Sequence, residues 1–139
     1  MKQDDHSDVT IRHFDLDARG LERVVGELQA RILETVWTEE PTTVKDVADR
    51  LGDEHHPKTV MTVMNRMVEK GLLLRERRGR AYVYQTTAGR ETFMASVARQ
   101  VLDGLLADFG RPTLAHFVEA ADTDQLAELE TLIRRRQDG

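Results

Sequence analysis

From Lys58 to Lys70 the side chains sort by helical period into two kinds. Val60, Val63, Met64, Met67 and Val68 fall on one side, and Lys58, Thr59, Thr62, Asn65, Arg66 and Glu69 on the other. Hydroxyls, an amide and cations of moderate reach are groups that hydrogen-bond to base edges and phosphate oxygens. A merely solvated helix face would more often carry Glu and Lys pairs four residues apart, which this one largely lacks. A second cluster follows at once: Arg75, Arg77, Arg78 and Arg80 surround Gly79, with Glu76 as the one acid among them. Such a tip could simply stay charged for solubility and to protect a strand edge. Four guanidinium groups against one carboxylate favour phosphate contact.

The charge of the whole chain hides this. Its 139 residues carry a formal net charge of -5. Between His56 and Arg90, however, eight basic residues stand against Glu69 and Glu76, a net +6 that leaves -11 for the remainder. A basic segment on an acidic body is the footprint of a local binding face for a polyanion. The same composition narrows the function classes. With no cysteine, disulfide frameworks, thiolate metal sites and thiol nucleophiles are excluded. No apolar run approaches the roughly 18 residues of a membrane span, and Met1 to Asp5 lack the regions of a signal peptide, so a cytoplasmic protein with no membrane partner is expected. There is no nucleophile-and-base pairing, no paired carboxylates in a cleft pattern and no Gly-rich phosphate loop, so no enzyme and no cofactor are expected.

The elements that must hold these side chains can be read outward from them. Leu28, Ile32, Leu33, Val36 and Trp37 recur at helical spacing after Gly26, with Trp37 read as core. Thr43 stands three residues before Asp46, a capping pattern that opens a short second helix with Val44, Val47, Ala48 and Leu51 on its apolar face, ended by Gly52. Pro57 suits the first position of a third helix, which carries the polar face and closes at Gly71. Leu72 to Thr86 then reads as two strands around the Gly79 turn. A helix-turn-helix followed by a basic hairpin is a winged arrangement. The fold expected is therefore mainly α with a small β-hairpin wing, occupying residues 23–87. Residues 1–22 read as a flexible N-terminal arm, ordered at most around Ile11, Phe14 and Leu16.

Residues 88–139 read as helices whose apolar arcs exceed what one small domain can cover. Met94, Val97, Val101, Leu105 and Phe109 lie along the first, Phe117 on a short second, and Leu129 and Leu132 on a third. Stripes of this length usually pack against a copy of the same chain, so this region is expected to be a helical dimerisation domain. A self-contained monomeric bundle is the other reading.

Four segments in this order resemble one known family. These are residues 25–37 (VGELQARILETVW), 43–47 (TVKDV), 58–67 (KTVMTVMNRM) and 69–72 (EKGL); the likeness continues through 82–84 (YVY) and 116–119 (HFVE). Together they are similar to the BlaI/MecI penicillinase repressors. The resemblance implies a homodimer that represses transcription from a palindromic operator in double-stranded DNA, with a sensor or protease system as the inducing partner. By position, Lys58, Thr59, Thr62 and Arg66 would face the major groove, and Arg77, Arg78 and Arg80 would lie on the wing. Thr43 and Asn65 complete the expected DNA-binding set. Two departures stand out. Induction in that family follows cleavage at an Asn-Phe bond after the wing, whereas Asn65, the single asparagine here, precedes Arg66. Copper-responsive relatives use cysteines, and this chain has none.

Two other readings attach to specific residues. Asp53, Glu54, His55 and His56 could make a metal-responsive sensor, although neighbours in sequence seldom converge on one ion. A winged helix can also serve protein-protein contacts alone. The basic balance of the helix face and wing favours DNA.

Overall fold

The computed structural model describes residues 9–139, which form two compact units dividing between Arg99 and Gln100. In the first unit a 3-10 turn, Gly20–Arg23, leads into helices α1 (Glu27–Glu39), α2 (Val44–Leu51) and α3 (Pro57–Glu69). Strands β1 (Leu73–Arg78) and β2 (Ala81–Thr86) follow, and then α4 (Arg90–Ala120) begins. Helix α5 (Thr123–Asp138) lies in the second unit.

Local chemistry sets most of these boundaries. The Thr43 hydroxyl accepts from the Asp46 N–H at 3.1 Å, satisfying a free donor at the start of α2. Pro57 occupies the first turn of α3, where its missing N–H leaves no bond unmade. At the other end, Gly71 takes φ +82°. Its N–H donates to the Val68 carbonyl while that of Leu72 reaches back to Met67 at 2.8 Å, a paired closure that turns the chain toward β1. Leu72 is buried as it leaves the helix.

Strands β1 and β2 pair antiparallel from Leu73 opposite Thr86 to Arg78 opposite Ala81. Gly79 and Arg80 are left as a two-residue loop with positive φ at Gly79 alone, as a type II′ turn requires. Thr42 bridges to Tyr84 through two backbone hydrogen bonds, 3.0 and 2.7 Å, which fasten the loop before α2 to β2.

The core forms where the three helices and the hairpin base meet. Ile32, Val36, Val47, Val60, Met64 and Met67 are wholly buried, with Leu33, Leu73, Tyr84 and Phe93 nearly so. Trp37 packs on Phe93 with ring centroids 5.7 Å apart and donates its indole N–H to the Ala88 carbonyl at 2.9 Å.

Core packing extends past the expected segment limits at residues 22 and 87. Helix α4 contributes Phe93 and Ser96 as buried residues and Val97 as a neighbour of the core, so the first unit runs past residue 87 to Arg99. The arm is anchored to the core at two points: Val9 is 5% exposed within the core cluster and Ile11 packs against it. Arg23 secures this segment by donating to the carbonyls of Asp15 and Leu16 and by lying over the Phe14 ring. Phe14 and Leu16, expected to order the arm, are themselves exposed. The expectation for the arm's first eight residues lies outside the described residues.

In the second unit the helices leave their apolar side chains open. Leu105, Phe109, Phe117 and Leu132 are exposed, Val101 and Leu129 half-buried, and α5 has no buried residue. Of the remaining residues of that expected set, Met94 is exposed and Val97 half-buried in the first unit. The helical backbone breaks at Phe109 (φ -135°), three residues before Pro112. A proline there can neither donate to the preceding turn nor fit against its carbonyl. Asp122 and Gln125 cap α5 reciprocally, at 2.7 and 3.0 Å. Among the described residues no helix is long and apolar enough to cross a membrane.

Candidate nucleic-acid interface

Helix α3 divides as its sequence requires. Val60, Met64 and Met67 are wholly buried, and on the opposite face Lys58, Thr59, Thr62 and Arg66 are exposed. These four line one shallow concavity together with Val63. Thr62 donates its hydroxyl hydrogen to the Lys58 carbonyl at 3.0 Å, which orients its oxygen as an acceptor toward solvent. Lys58 stands in the first turn of the helix, where its own N–H donates to His56 Nδ1 at 3.0 Å. Thr43 is half-buried; its hydroxyl oxygen caps α2, which leaves the hydroxyl hydrogen available for donation.

Asn65 departs from the outward role assigned to it. It is half-buried, and its Oδ1 accepts from Arg75 Nη1 and from the Tyr84 hydroxyl, each at 2.9 Å. Three elements meet at that one oxygen: α3 supplies Asn65, β1 supplies Arg75 and β2 supplies Tyr84. The amide ties the exposed helix face to the base of the hairpin.

Strand alternation then sorts the arginines. Arg75 is opposite Tyr84 and Arg77 opposite Tyr82, so both lie on the hairpin face that carries Tyr84 toward α3. Their guanidinium carbons stand 4.3 and 5.9 Å from the Tyr82 ring centroid, within cation-π range. Arg77 also donates to the Gly79 carbonyl at 3.2 Å. Arg78 lies on the other face, 3.5 Å from Glu76, and Arg80 is exposed in the turn itself. The hairpin therefore does not bring Arg77, Arg78 and Arg80 onto one surface. It groups Arg77 with Arg75, which belongs to the arginine cluster read from the sequence although the resemblance did not place it on the wing; its position two before Arg77 on the strand signals the shared face.

Two further cations are engaged elsewhere. Arg90 pairs with Glu34 on α1, with one bond at 3.0 Å, and lies over the Trp37 ring. The hydrogen bond to Glu34, reinforced by that carboxylate's charge against slight desolvation, holds the Arg90 guanidinium above its ordinary pKa. Lys45 on α2 is exposed near Lys58 and pairs with Asp49 at 3.2 Å.

The carboxylates and histidines before α3 have separate roles. Glu54 forms an ion pair with Arg31, and His56 caps α3 through Nδ1. Among the described residues no group of three or more His, Asp or Glu is placed to hold a metal ion. The sensor reading of Asp53, Glu54, His55 and His56 has no geometric support.

Three helices ending in a solvent-facing polar helix, followed by a two-stranded basic hairpin, define a winged helix-turn-helix protein of the kind found in transcriptional regulators. The chain belongs to the penicillinase repressor family, whose model matches residues 25–135, and so is a transcriptional regulator rather than an enzyme. It is 33% identical over 118 residues to the transcriptional regulator BlaI of Mycobacterium tuberculosis, in both strain CDC 1551 and strain H37Rv, covering 76% of this chain and 85% of that protein. Among solved structures, M. tuberculosis Rv0081 is 22% identical, with a TM-score of 0.43 over 60% of this chain and 82% of the other. The PcaV transcriptional regulator from Streptomyces coelicolor is also 22% identical, with a TM-score of 0.41 over 83% of this chain and 76% of that one.

Proposed function

We propose that the protein is a sequence-specific repressor that acts in the cytoplasm as a homodimer on a palindromic operator. The observation that carries this reading is the grouping of Lys58, Thr59, Thr62 and Arg66 on the open face of α3, opposite a wholly buried face. A helix anchored in this way can enter a major groove without loss of core packing, and its lysine, hydroxyls and arginine match phosphate and base-edge acceptors. Arg75 and Arg77 on the adjacent hairpin face extend the positive surface toward the flanking backbone. Arg78 and Arg80 reach phosphates from the turn and the hairpin's far side, and Thr43 donates to a phosphate from the start of α2. Asn65 serves as the positioning residue between helix and wing.

Dimerisation is supported by the apolar side chains that residues 100–139 leave exposed, Leu105, Phe109, Phe117 and Leu132 above all. A second copy supplies a matching surface under twofold symmetry. Two recognition helices then read half-sites about one or two helical turns apart.

Equilibrium binding to duplex DNA across a salt series tests the proposal. With about four phosphates neutralised per protomer, the log-log slope should be near -7 for the dimer. Arg66→Ala should weaken specific binding by about 1 to 3 kcal/mol and relax preference at one position, whereas Arg78→Ala should weaken all duplexes alike. A flat salt response, or equal affinity for all duplexes, would overturn the reading.

A further inference from the structure

Beside the polar face of α3 lies a second depression with a different lining. Val44 and Ala48 of α2 and Pro57 and Met61 of α3 form an apolar floor, with Lys45, Asp49 and Lys58 around it. Met61 is 42% exposed, an unusual position for a thioether on a helix whose other two internal methionines are wholly buried. The depression is continuous with the proposed interface, because Lys58 borders both. On its rim Lys45 is paired with Asp49, so Lys58 is the cation that can meet a polyanion, while the floor offers nothing to a phosphate.

We infer that Met61 is a specificity-determining residue that reads the 5-methyl group of a thymine in the operator. In the major groove that methyl is the one apolar feature a base pair presents, and an exposed apolar side chain beside a phosphate-binding lysine is the surface that fits it. Lys58 holds a phosphate of the strand beside the depression, and Met61 covers the methyl against Val44 and Ala48. Thymine is thereby distinguished from cytosine, which lacks the methyl and offers an amino donor for which this floor has at most the weak thioether acceptor of Met61. The inference rests on the proposed DNA-binding function and deepens it by naming a base.

The test begins with selection of a preferred duplex from a random pool by the full chain, followed by replacement of each thymine with uracil, one at a time. Uracil differs by the methyl alone, so no protein fold is at stake. Loss of one buried methyl corresponds to about fourfold weaker binding per half-site. The expected result is one thymine per half-site at which uracil weakens the wild-type protein by that factor and leaves Met61→Ala unaffected, with Met61→Leu retaining the discrimination. If the protein binds its selected duplex with steep salt dependence but every uracil substitution is neutral, Met61 does not read a methyl and the proposed function stands. If a uracil penalty persists undiminished in Met61→Ala, another residue reads it and the inference is again overturned. If no duplex is preferred at any salt concentration, both the inference and the function beneath it fall.

Discussion

Removing one hydroxyl, by Tyr84→Phe, tests the junction between recognition helix and wing. Tyr84 is 2% exposed, and its backbone is held by the pair of bonds to Thr42, so phenylalanine keeps both packing and strand pairing. What disappears is the 2.9 Å bond to Asn65 Oδ1, an oxygen that retains Arg75 as a donor. Net hydrogen-bond contributions are about 0.5 to 1.5 kcal/mol. With its acceptor half-buried and still partnered, Tyr84→Phe should fall near ~1 kcal/mol. Asn65→Ala is harsher, because it leaves the Tyr84 hydroxyl and Arg75 both without their acceptor; the expected loss is about 1 to 3 kcal/mol. In the Asn65→Ala background Tyr84→Phe should then be nearly neutral, a coupling of about 1 kcal/mol between the two sites. Urea unfolding followed by the fluorescence of Trp37, the single tryptophan, measures all four corners of the cycle at fixed protein concentration. Midpoints should move at constant slope. A Tyr84→Phe midpoint equal to wild type, or costs that simply add, would refute the shared-oxygen account. If the junction also sets the wing, Asn65→Ala will weaken binding to every duplex by a similar factor, while a residue that reads a base would alter preference at one position.

Further outcomes follow from single features. The Thr42 hydroxyl is buried with no hydrogen-bond partner, so Thr42→Val, which preserves the branched shape, should raise stability by up to about 1 kcal/mol, seen as a higher urea midpoint. Gly71→Ala places a Cβ at φ +82° and should lower stability by about 1 to 2 kcal/mol although the site has open space around it; a neutral result would mean the closure after α3 can change conformation. Leu105→Glu sets a charge on an exposed apolar position of the second unit. On the proposed dimeric reading, light scattering should show a shift from dimer to monomer with steeply weakened binding to the selected duplex, and an unchanged mass would remove Leu105 from the proposed interface.

Much of the architecture is written in short-range signals. A capping threonine, a proline in a first helical turn, a glycine after a helix and another in a two-residue turn each act within four or five residues, so α2, α3 and the hairpin are legible from the chain alone. Helical period likewise separates the buried Val60, Met64 and Met67 from Lys58, Thr59, Thr62 and Arg66, because both faces belong to one rigid element. Asn65 shows where that reasoning stops. Its position on the helix points outward, and only the arrival of Tyr84 from β2 makes its oxygen an internal acceptor. Arg90 is similar: it counts toward a basic segment, yet Glu34, 56 residues earlier, neutralises it. Val9 enters the core from a stretch too polar to announce itself. Local backbone preferences therefore decided which elements form and which faces they present, since those depend on neighbours along the chain. Which polar groups remain open to a ligand was decided by tertiary structure, because a donor or acceptor is closed by whatever partner the fold brings within about 3 Å.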